Sequence, residues 1–256
     1  VGTQTVSLAS TIYTLWLREI KKFQRNRSRI IGSMALPALF LVVLGSGFGS
    51  FFSYKSDVSY MQFIGPGVVA MSLLFSSMFG GMSVLWDRQF GFLKEILVAP
   101  VSRIGIMAGK TLGTVTTSLV KALVFLIALL AGKLVKADPA GILLAFLFMF
   151  LISASFVSLG IAFAARMSDP HGFQLIMNFL IMPVFFLSGA LFPLDGIPWW
   201  LRILTELNPL TYGVDGMRFA LGGPYRLAPL WNLVVLTGFW VVSTLAGALL
   251  FRKMPA

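Results

Sequence analysis

Residues 141–165 read GILLAFLFMFLISASFVSLGIAFAA, twenty-five positions without an Asp, Glu, Lys or Arg. As a helix this run rises about 37 Å at 1.5 Å per residue, enough to cross a hydrocarbon core about 30 Å thick. Its only polar side chains are Ser153, Ser155 and Ser158, hydroxyls of the kind that join packed helices in a membrane. The solvent of this segment is therefore lipid and neighbouring helices. Five further stretches are also long and apolar enough to span: Ile30 to Phe52, Tyr60 to Trp86, Ile104 to Ala131, Phe173 to Phe192 and Leu230 to Phe251. The expected fold is all-α, a polytopic membrane protein of six transmembrane helices in one domain.

Composition agrees. Of 256 residues 57% are apolar or aromatic and 11% are charged, and the mean hydropathy is +0.89. No segment reads as a cleaved signal peptide, because the first apolar stretch follows a basic, Trp-bearing segment and runs past the usual length of such a core. With no cysteine, disulfides, thiolate metal sites and a Cys nucleophile are excluded, and one histidine leaves little for imidazole ligation. The net charge of +11 acquires meaning from its distribution across the bilayer, not as a nucleic-acid signal. Thirteen of the twenty Lys and Arg fall on the side that holds both termini, and six (Lys55, Lys133, Lys136, Arg202, Arg218, Arg226) on the other. Lysine and arginine accumulate in cytoplasmic loops, so both termini are expected in the cytoplasm.

Ahead of the first span, Ile12, Tyr13, Trp16, Leu17, Ile20 and Phe23 share one helical arc, and Arg18, Lys21, Lys22 and Arg25 the opposite one. A helix so divided over residues 8–29 is expected in the cytoplasmic interface, apolar face in the acyl boundary and basic face toward headgroups. A topology anchor and a moving part of a transporter are both open for it. Between the fourth and fifth spans, Ser168-Asp169-Pro170 predicts a tight turn and a helix restart, since Asp caps and Pro is preset for the first helical position.

Two connections are patterned like helices. Residues 87–103, DRQFGFLKEILVAPVSR, place Phe92, Leu93, Ile96 and Leu97 on one arc and Asp87, Lys94 and Glu95 opposite, and Pro100 ends the pattern. This apolar ridge packs either on the chain's own span ends and lipid or on a partner. Asp87-Arg88, Gly91, the Leu93-Lys94-Glu95-Ile96-Leu97 core and Ala99-Pro100-Val101-Ser102-Arg103 with Gly109-Lys110 resemble the first cytoplasmic loop of type-2 ABC exporter permeases. The core departs from the family's usual Gly-Thr-Leu-Glu in reading Gly91-Phe92-Leu93-Lys94. The resemblance implies a coupling helix seated in a cleft of an ATPase subunit, with Asp87, Arg88, Gly91, Phe92, Leu93, Lys94, Glu95, Leu97 and Pro100 making or shaping that contact.

After the fifth span, residues 187–218 are too apolar for a free loop and too broken to span. Pro198 and Asn208-Pro209 divide them into two helices of re-entrant length, and irregular backbone at membrane depth must be buried in protein or face a cavity. A hairpin over 193–222 dipping from the outer surface follows. Ser188-Gly189 through Phe192-Pro193, Pro198-Trp199 and Asn208-Pro209-Leu210-Thr211-Tyr212 resemble the drug-export and lipo-oligosaccharide branches of the same family. Trp199 and Trp200 suit an interfacial belt as readily as substrate contact.

Lys121 lies eleven residues beyond Lys110 on the third span, about 16 Å deeper. It must face protein, water or a second copy, or snorkel. With Ser153, Asn178 and Phe186 it is a candidate for the substrate path or a dimer interface. Gly105-Ile-Met-Ala-Gly109-Lys110-Thr111 imitates a phosphate-binding loop, but has three residues between its glycines in place of four and no preceding strand. No motif for catalysis by this chain is present. The resemblance then implies a non-enzymatic permease subunit that forms a homodimer in lipid and binds two ABC ATPase subunits. It has no cofactor of its own, ATP and Mg lying on the partners, and no nucleic-acid role. Its implied task is to export a lipophilic or amphiphilic compound, whether drug, lipid or lipid-linked glycan, across a bacterial or archaeal plasma membrane. A passive channel or scaffold, which needs no ATPase, and an intramembrane lipid-modifying enzyme, which needs ionisable groups clustered at one depth, are the alternatives.

Overall fold

A computed structural model describes residues 7–47, 59–92 and 101–252, and among these residues there are helices and no strand. The helices are α1 (Leu8–Arg25), α2 (Arg27–Gly47), α3 (Tyr60–Met78), α4 (Met82–Gln89), α5 (Arg103–Ala131), α6 (Pro139–Arg166), α7 (Pro170–Phe186), α8 (Trp199–Leu207), α9 (Pro209–Ala220) and α10 (Pro229–Arg252). Four segments are long and apolar enough to cross a membrane: Tyr60–Gln89, Arg103–Ala131, Pro139–Arg166 and Pro229–Phe251. The bent pair α1 and α2 adds a fifth if taken as one span, with 73° between its halves, and α7 is apolar but shorter.

Helix starts follow a repeated local rule. Asp138 accepts from Gly141 N–H at 2.8 Å ahead of Pro139, and Asp169 accepts from His171 and Gly172 N–H at 3.1 and 2.6 Å ahead of Pro170. Asn208 accepts from Leu210 N–H at 3.0 Å ahead of Pro209. In each case a side-chain oxygen satisfies an amide that the helix cannot, and proline occupies a position whose N–H would be orphaned anyway. Ser59 and Gln62 close a reciprocal capping box on α3.

The second span is the centre of the molecule. In its most apolar window 78% of residues are buried, against 17% for α10. It is also broken. A 3-10 turn at Phe79–Gly81 separates α3 from α4, and a Cβ on Gly81 would meet the carbonyl of Gly160 on α6. Glycine at both positions lets the two backbones touch, which is how membrane helices gain dispersion contacts where no hydrophobic drive exists. Ser77 and Ser153 hydrogen-bond across the same contact at 3.0 Å. On its other face α6 carries α10 through Ser158 and Thr244 at 3.1 Å and the Phe156–Phe239 and Phe150–Trp240 ring pairs.

The amphipathic N-terminal helix ends at Arg25, with Asn26 as its C-cap, and does not continue to residue 29. Its buried positions are Thr11 and Leu15, which lie on α5. Tyr13 is 60% exposed, so the expected apolar arc is split between protein and surroundings. The close approach comes from α5, where Gly105, Gly109 and Gly113 recur every four residues. A Cβ on Gly109 would stand 2.8 Å from Leu15 Cβ and 2.9 Å from the Ile12 carbonyl oxygen, and one on Gly113 2.6 Å from Glu19 Cβ. The glycines that imitate a phosphate loop are a seat for α1. Trp16 Nε1 locks it by donating to Thr116 Oγ1 at 3.0 Å.

Candidate functional site

Asp87, near the end of α4, is the hub of the charged groups. It is 4% exposed. Arg18 Nη1 and Nη2 donate to its two carboxylate oxygens at 2.9 and 2.8 Å, a bidentate fork. Lys22 Nζ donates to Oδ1 at 3.2 Å, and Lys110 Nζ donates to Oδ2. Glu19 faces Arg18 at 3.8 Å and Lys22 at 3.6 Å. Three cations from α1 and α5 thus converge on one carboxylate at the root of the loop that leaves α4. An isolated ionised carboxylate would not stay buried, so the cluster is held by mutual compensation.

The carboxylate of Asp87 is thus engaged by the chain's own α1 and α5, and two residues of the basic arc of α1, Arg18 and Lys22, are bonded to it. Lys21 and Arg25 remain exposed. Arg88 reaches the Met167 carbonyl at 3.4 Å. Beyond α4 the chain turns at Gly91 with φ 76°, a left-handed conformation that glycine adopts without strain. The Phe92 ring lies under the Arg18 guanidinium at 3.7 Å, a cation–π contact. Leu93, Lys94, Glu95, Ile96, Leu97 and Pro100 lie outside the described residues.

Beside this hub opens a cleft of about 1350 Å³, walled by α1, α2, the broken second span, α5 and α7. Lys121 and Asn178, expected on a substrate path, both line it, together with Thr114, Thr117, Ser76 and Ser83. Ser153 does not: it is fully buried against Ser77 and belongs to helix packing. Phe186 is 43% exposed and packs edge-on with Phe185, away from the cleft lining.

The segment expected as a hairpin holds two short helices, α8 and α9, that meet at Asn208, and their junction is a network of contacts to backbone. Asn208 Nδ2 donates to the Val184 carbonyl at 2.6 Å, Thr211 Oγ1 to the Thr205 carbonyl at 2.7 Å, and the Tyr212 hydroxyl to the Glu206 carbonyl at 2.8 Å. Desolvation, with Glu206 nearby, raises the Tyr212 pKa above its ordinary value. Phe192 is 36% exposed and Pro193 borders a small pocket with Leu194 and Asp195. Trp199 and Trp200 are exposed.

Arg218, counted above among outer loop charges, is 6% exposed. Its Nε donates to the Phe63 carbonyl at 3.1 Å and its Nη2 to the Gly189 and Ala190 carbonyls at 2.7 and 3.2 Å, with the guanidinium 3.7 Å over the Phe63 ring. Asp215, one turn earlier, accepts from Arg226 and Leu227 N–H and from Asn232 Nδ2. These two buried charges tie the hairpin to α3 and to the segment that follows it.

A long buried central helix tightened midway by a 3-10 turn, a charged hub at the end of α4 and a large cleft between apolar helices suit a membrane transport subunit. Residues 10–221 match the ABC-2 type transporter family, and the chain belongs to it. It is 30% identical over 213 residues to the transport permease ycf38 of Cyanophora paradoxa, covering 81% of this chain and 73% of that one. It is 28% identical over 254 residues to a Mycobacterium tuberculosis protein named as the doxorubicin resistance ABC transporter permease DrrC, covering 92% and 86%. The inner membrane transport permease YadH of Escherichia coli is 28% identical over 215 residues, covering 82% of each chain. Members of this family are membrane-embedded permease subunits, and ATP hydrolysis belongs to separate ATPase subunits. That assignment sets aside the intramembrane enzyme.

Proposed function

We propose that this chain is the membrane half of an exporter, driven by two ABC ATPase subunits that dock on residues 87–103, and that it works as a homodimer in lipid. In this reading six spans cross the membrane, α2, α3 with α4, α5, α6, α7 and α10, with both termini cytoplasmic and the α8–α9 hairpin on the outer side. ATP and Mg stay on the partners. A lipophilic or amphiphilic substrate leaves the cytoplasm or the inner leaflet of a bacterial or archaeal plasma membrane, a location that suits the name of the YadH relative. The name of the DrrC relative, a drug-resistance permease, supports the export of such compounds.

The observation that carries this reading is the rooting of the loop. Asp87 stands at the base of segment 87–103 and is bonded to α1 and α5 at once. A push received by the loop is therefore delivered to three helices at the edge of the cleft and not lost in a flexible connector.

The test is co-purification of the tagged chain with its cognate ATPase, comparing wild type with Leu93→Asp plus Leu97→Asp, and measurement of vanadate-sensitive ATP hydrolysis in lipid. Retention of an active ATPase by the wild type and its loss in the double variant is the expected result. A variant complex indistinguishable from wild type, or a wild type that retains no ATPase, refutes the docking assignment and favours the channel or scaffold.

A further inference from the structure

The two faces of the second span treat their hydroxyls differently. Toward α6, Ser77 and Ser153 bond directly at 3.0 Å. Toward α5, the hydroxyls of Ser72, Ser76 and Ser83, and those of Thr111 and Ser118 on α5 itself, are buried and have no hydrogen-bond partner among the described residues. Ser72 and Ser118 are each 1% exposed.

Their positions are not scattered. A Cβ on Gly80 would meet Thr114 and one on Gly65 would meet Leu129, so α5 runs antiparallel to the second span and each step forward on one is a step back on the other. Four residues before Gly80 stands Ser76, and four after Thr114 stands Ser118. Three after Gly80 stands Ser83, and three before Thr114 stands Thr111. Steps of three and four stay on one helix face, so these hydroxyls share the seam where the two helices touch, Ser76 level with Ser118 and Ser83 level with Thr111. Ser72 lies one turn beyond Ser76. At the other end the same face reaches Asp87, bonded to Lys110 of α5.

A buried hydroxyl without a partner costs free energy, and native interiors satisfy it with protein or with ordered water. A buried water bonds about two to four polar groups, which each end of this seam offers. We infer that the seam between the second span and α5 binds ordered water at two positions, one held by Ser83 and Thr111 and one by Ser72, Ser76 and Ser118, on either side of the Gly80–Thr114 contact. Water arrives sideways: Ser76, Gly80, Ser83 and Thr114 also border the charged cleft, so it need not cross lipid. The two positions flank the 3-10 turn at Phe79–Gly81. Where a membrane helix departs from regular α geometry, serine hydroxyls and ordered water take up the backbone groups set free, so the water lets α4 tilt on α3 without stranding a carbonyl. This hydration is independent of what the permease carries.

The chain has no cysteine, so a single introduced thiol reports on its own surroundings. Ser118→Cys, Ser83→Cys, Ser153→Cys and the exposed reference Lys21→Cys are each treated, as full chain in lipid nanodiscs, with silver ion, which is close to water in size. The thiol that remains is counted with a maleimide after denaturation. A thiol reacts as thiolate, which forms in water and not in a dry apolar seam. Ser118→Cys and Ser83→Cys should react within about tenfold of Lys21→Cys, and Ser153→Cys at least about a hundredfold more slowly. Alanine gives the second arm. In reversible unfolding across a dodecyl sulfate series, Ser76→Ala and Ser118→Ala should each raise the unfolding constant about fivefold, the worth of one hydrogen bond. The double variant should raise it about fivefold in total and not about 25-fold, because the first alanine already releases the shared water.

A Ser118→Cys thiol as inert as that of Ser153→Cys overturns the inference. So do alanines that leave stability unchanged or raise it, the mark of hydroxyls that hold nothing, and effects that multiply, the mark of hydroxyls bonded each to its own helix. If a cysteine variant is not monodisperse the alanine cycle decides, and the reverse. Neither readout involves an ATPase or a substrate, so failure here leaves the exporter reading standing.

Discussion

The Asp87 hub makes an ordered prediction about its three cations, because they differ in exposure. The side chain of Asp87 is 5% exposed and that of Lys110 1%, whereas Arg18 is 25% and Lys22 43% exposed. Removing one member of a buried pair leaves an uncompensated charge out of water and costs about 3–5 kcal/mol. Lys110→Met should fall in that range. Arg18→Met loses a bidentate, partly solvated fork, worth about 1–3 kcal/mol once screening is allowed for. Lys22→Met, the most exposed, should cost only about 0–1 kcal/mol.

Asp87→Asn leaves three cations around a neutral amide and should be at least as damaging as Lys110→Met. The double replacement Asp87→Leu with Lys110→Met should cost less than the sum of its parts by about 2–3 kcal/mol, since neither charge is then stranded. The assay is reversible unfolding of purified protein across a dodecyl sulfate mole-fraction series, followed by circular dichroism and by trypsin cleavage at Lys21 and Arg25. If Lys22→Met costs as much as Lys110→Met, or Lys110→Met lies within about 1 kcal/mol of wild type, the buried-pair reasoning is wrong.

Three other outcomes follow from single contacts. Gly109→Val drives a side chain into Leu15 and the Ile12 carbonyl, and should cost about 1–3 kcal/mol while making α1 cleavable by trypsin under conditions where wild type resists. Arg218→Leu strands the carbonyls of Phe63, Gly189 and Ala190. A loss of about 2–4 kcal/mol, with faster hydrogen exchange confined to α9 and residues 187–190, is expected, and exchange unchanged there would refute the clamp. Asp169 is held below its ordinary 3.8 by the Gly172 and His171 amides. A depressed carboxyl stabilises above its unfolded pKa and loses that contribution as pH falls through the folded one. The first turn of α7 should therefore fray as pH drops below about 4, whereas Asp169→Asn, a cap without charge, should show no such step.

What was legible in the sequence was local. The run 141–165 becomes α6, and Asp169-Pro170 and Asn208-Pro209 restart helices where an oxygen cap and a preset φ require it. These features depend on neighbours within four residues. The hub does not. Arg18, Asp87 and Lys110 are separated by 69 and 23 positions, and a count of basic residues per loop can set sidedness but cannot say which of them finds a carboxylate. The contacts of Arg218 were hidden for the same reason: a count of charges per segment says nothing of the Phe63, Gly189 and Ala190 carbonyls it meets once α9 is packed on α3. The glycine stripe of α5 was visible all along. Tested against a phosphate loop it failed, and tested against helix packing, where small residues every four positions admit a neighbour, it identifies the seat of α1.

The second span shows how these pieces act together. Its helix tightens to a 3-10 turn at Phe79–Gly81, where Gly81 meets the Gly160 backbone, and a 3-10 turn inside a long helix often marks a hinge. Below the turn, α4 is only eight residues long and carries Asp87. Its lower end is bonded to α1 by the Arg18 fork, and α1 is itself seated on the glycines of α5. A displacement applied beyond Gly91 thus cannot move α4 alone. It must either carry α1 and the lower half of α5 as one body, pivoting at Gly80–Gly81 against α6, or break a buried ion cluster. The first route is cheaper by the several kcal/mol that the cluster holds. Because α1, α4 and α5 all contribute to the wall of the cleft, in the proposed coupling the same pivot that preserves the charges would change the width of the cavity.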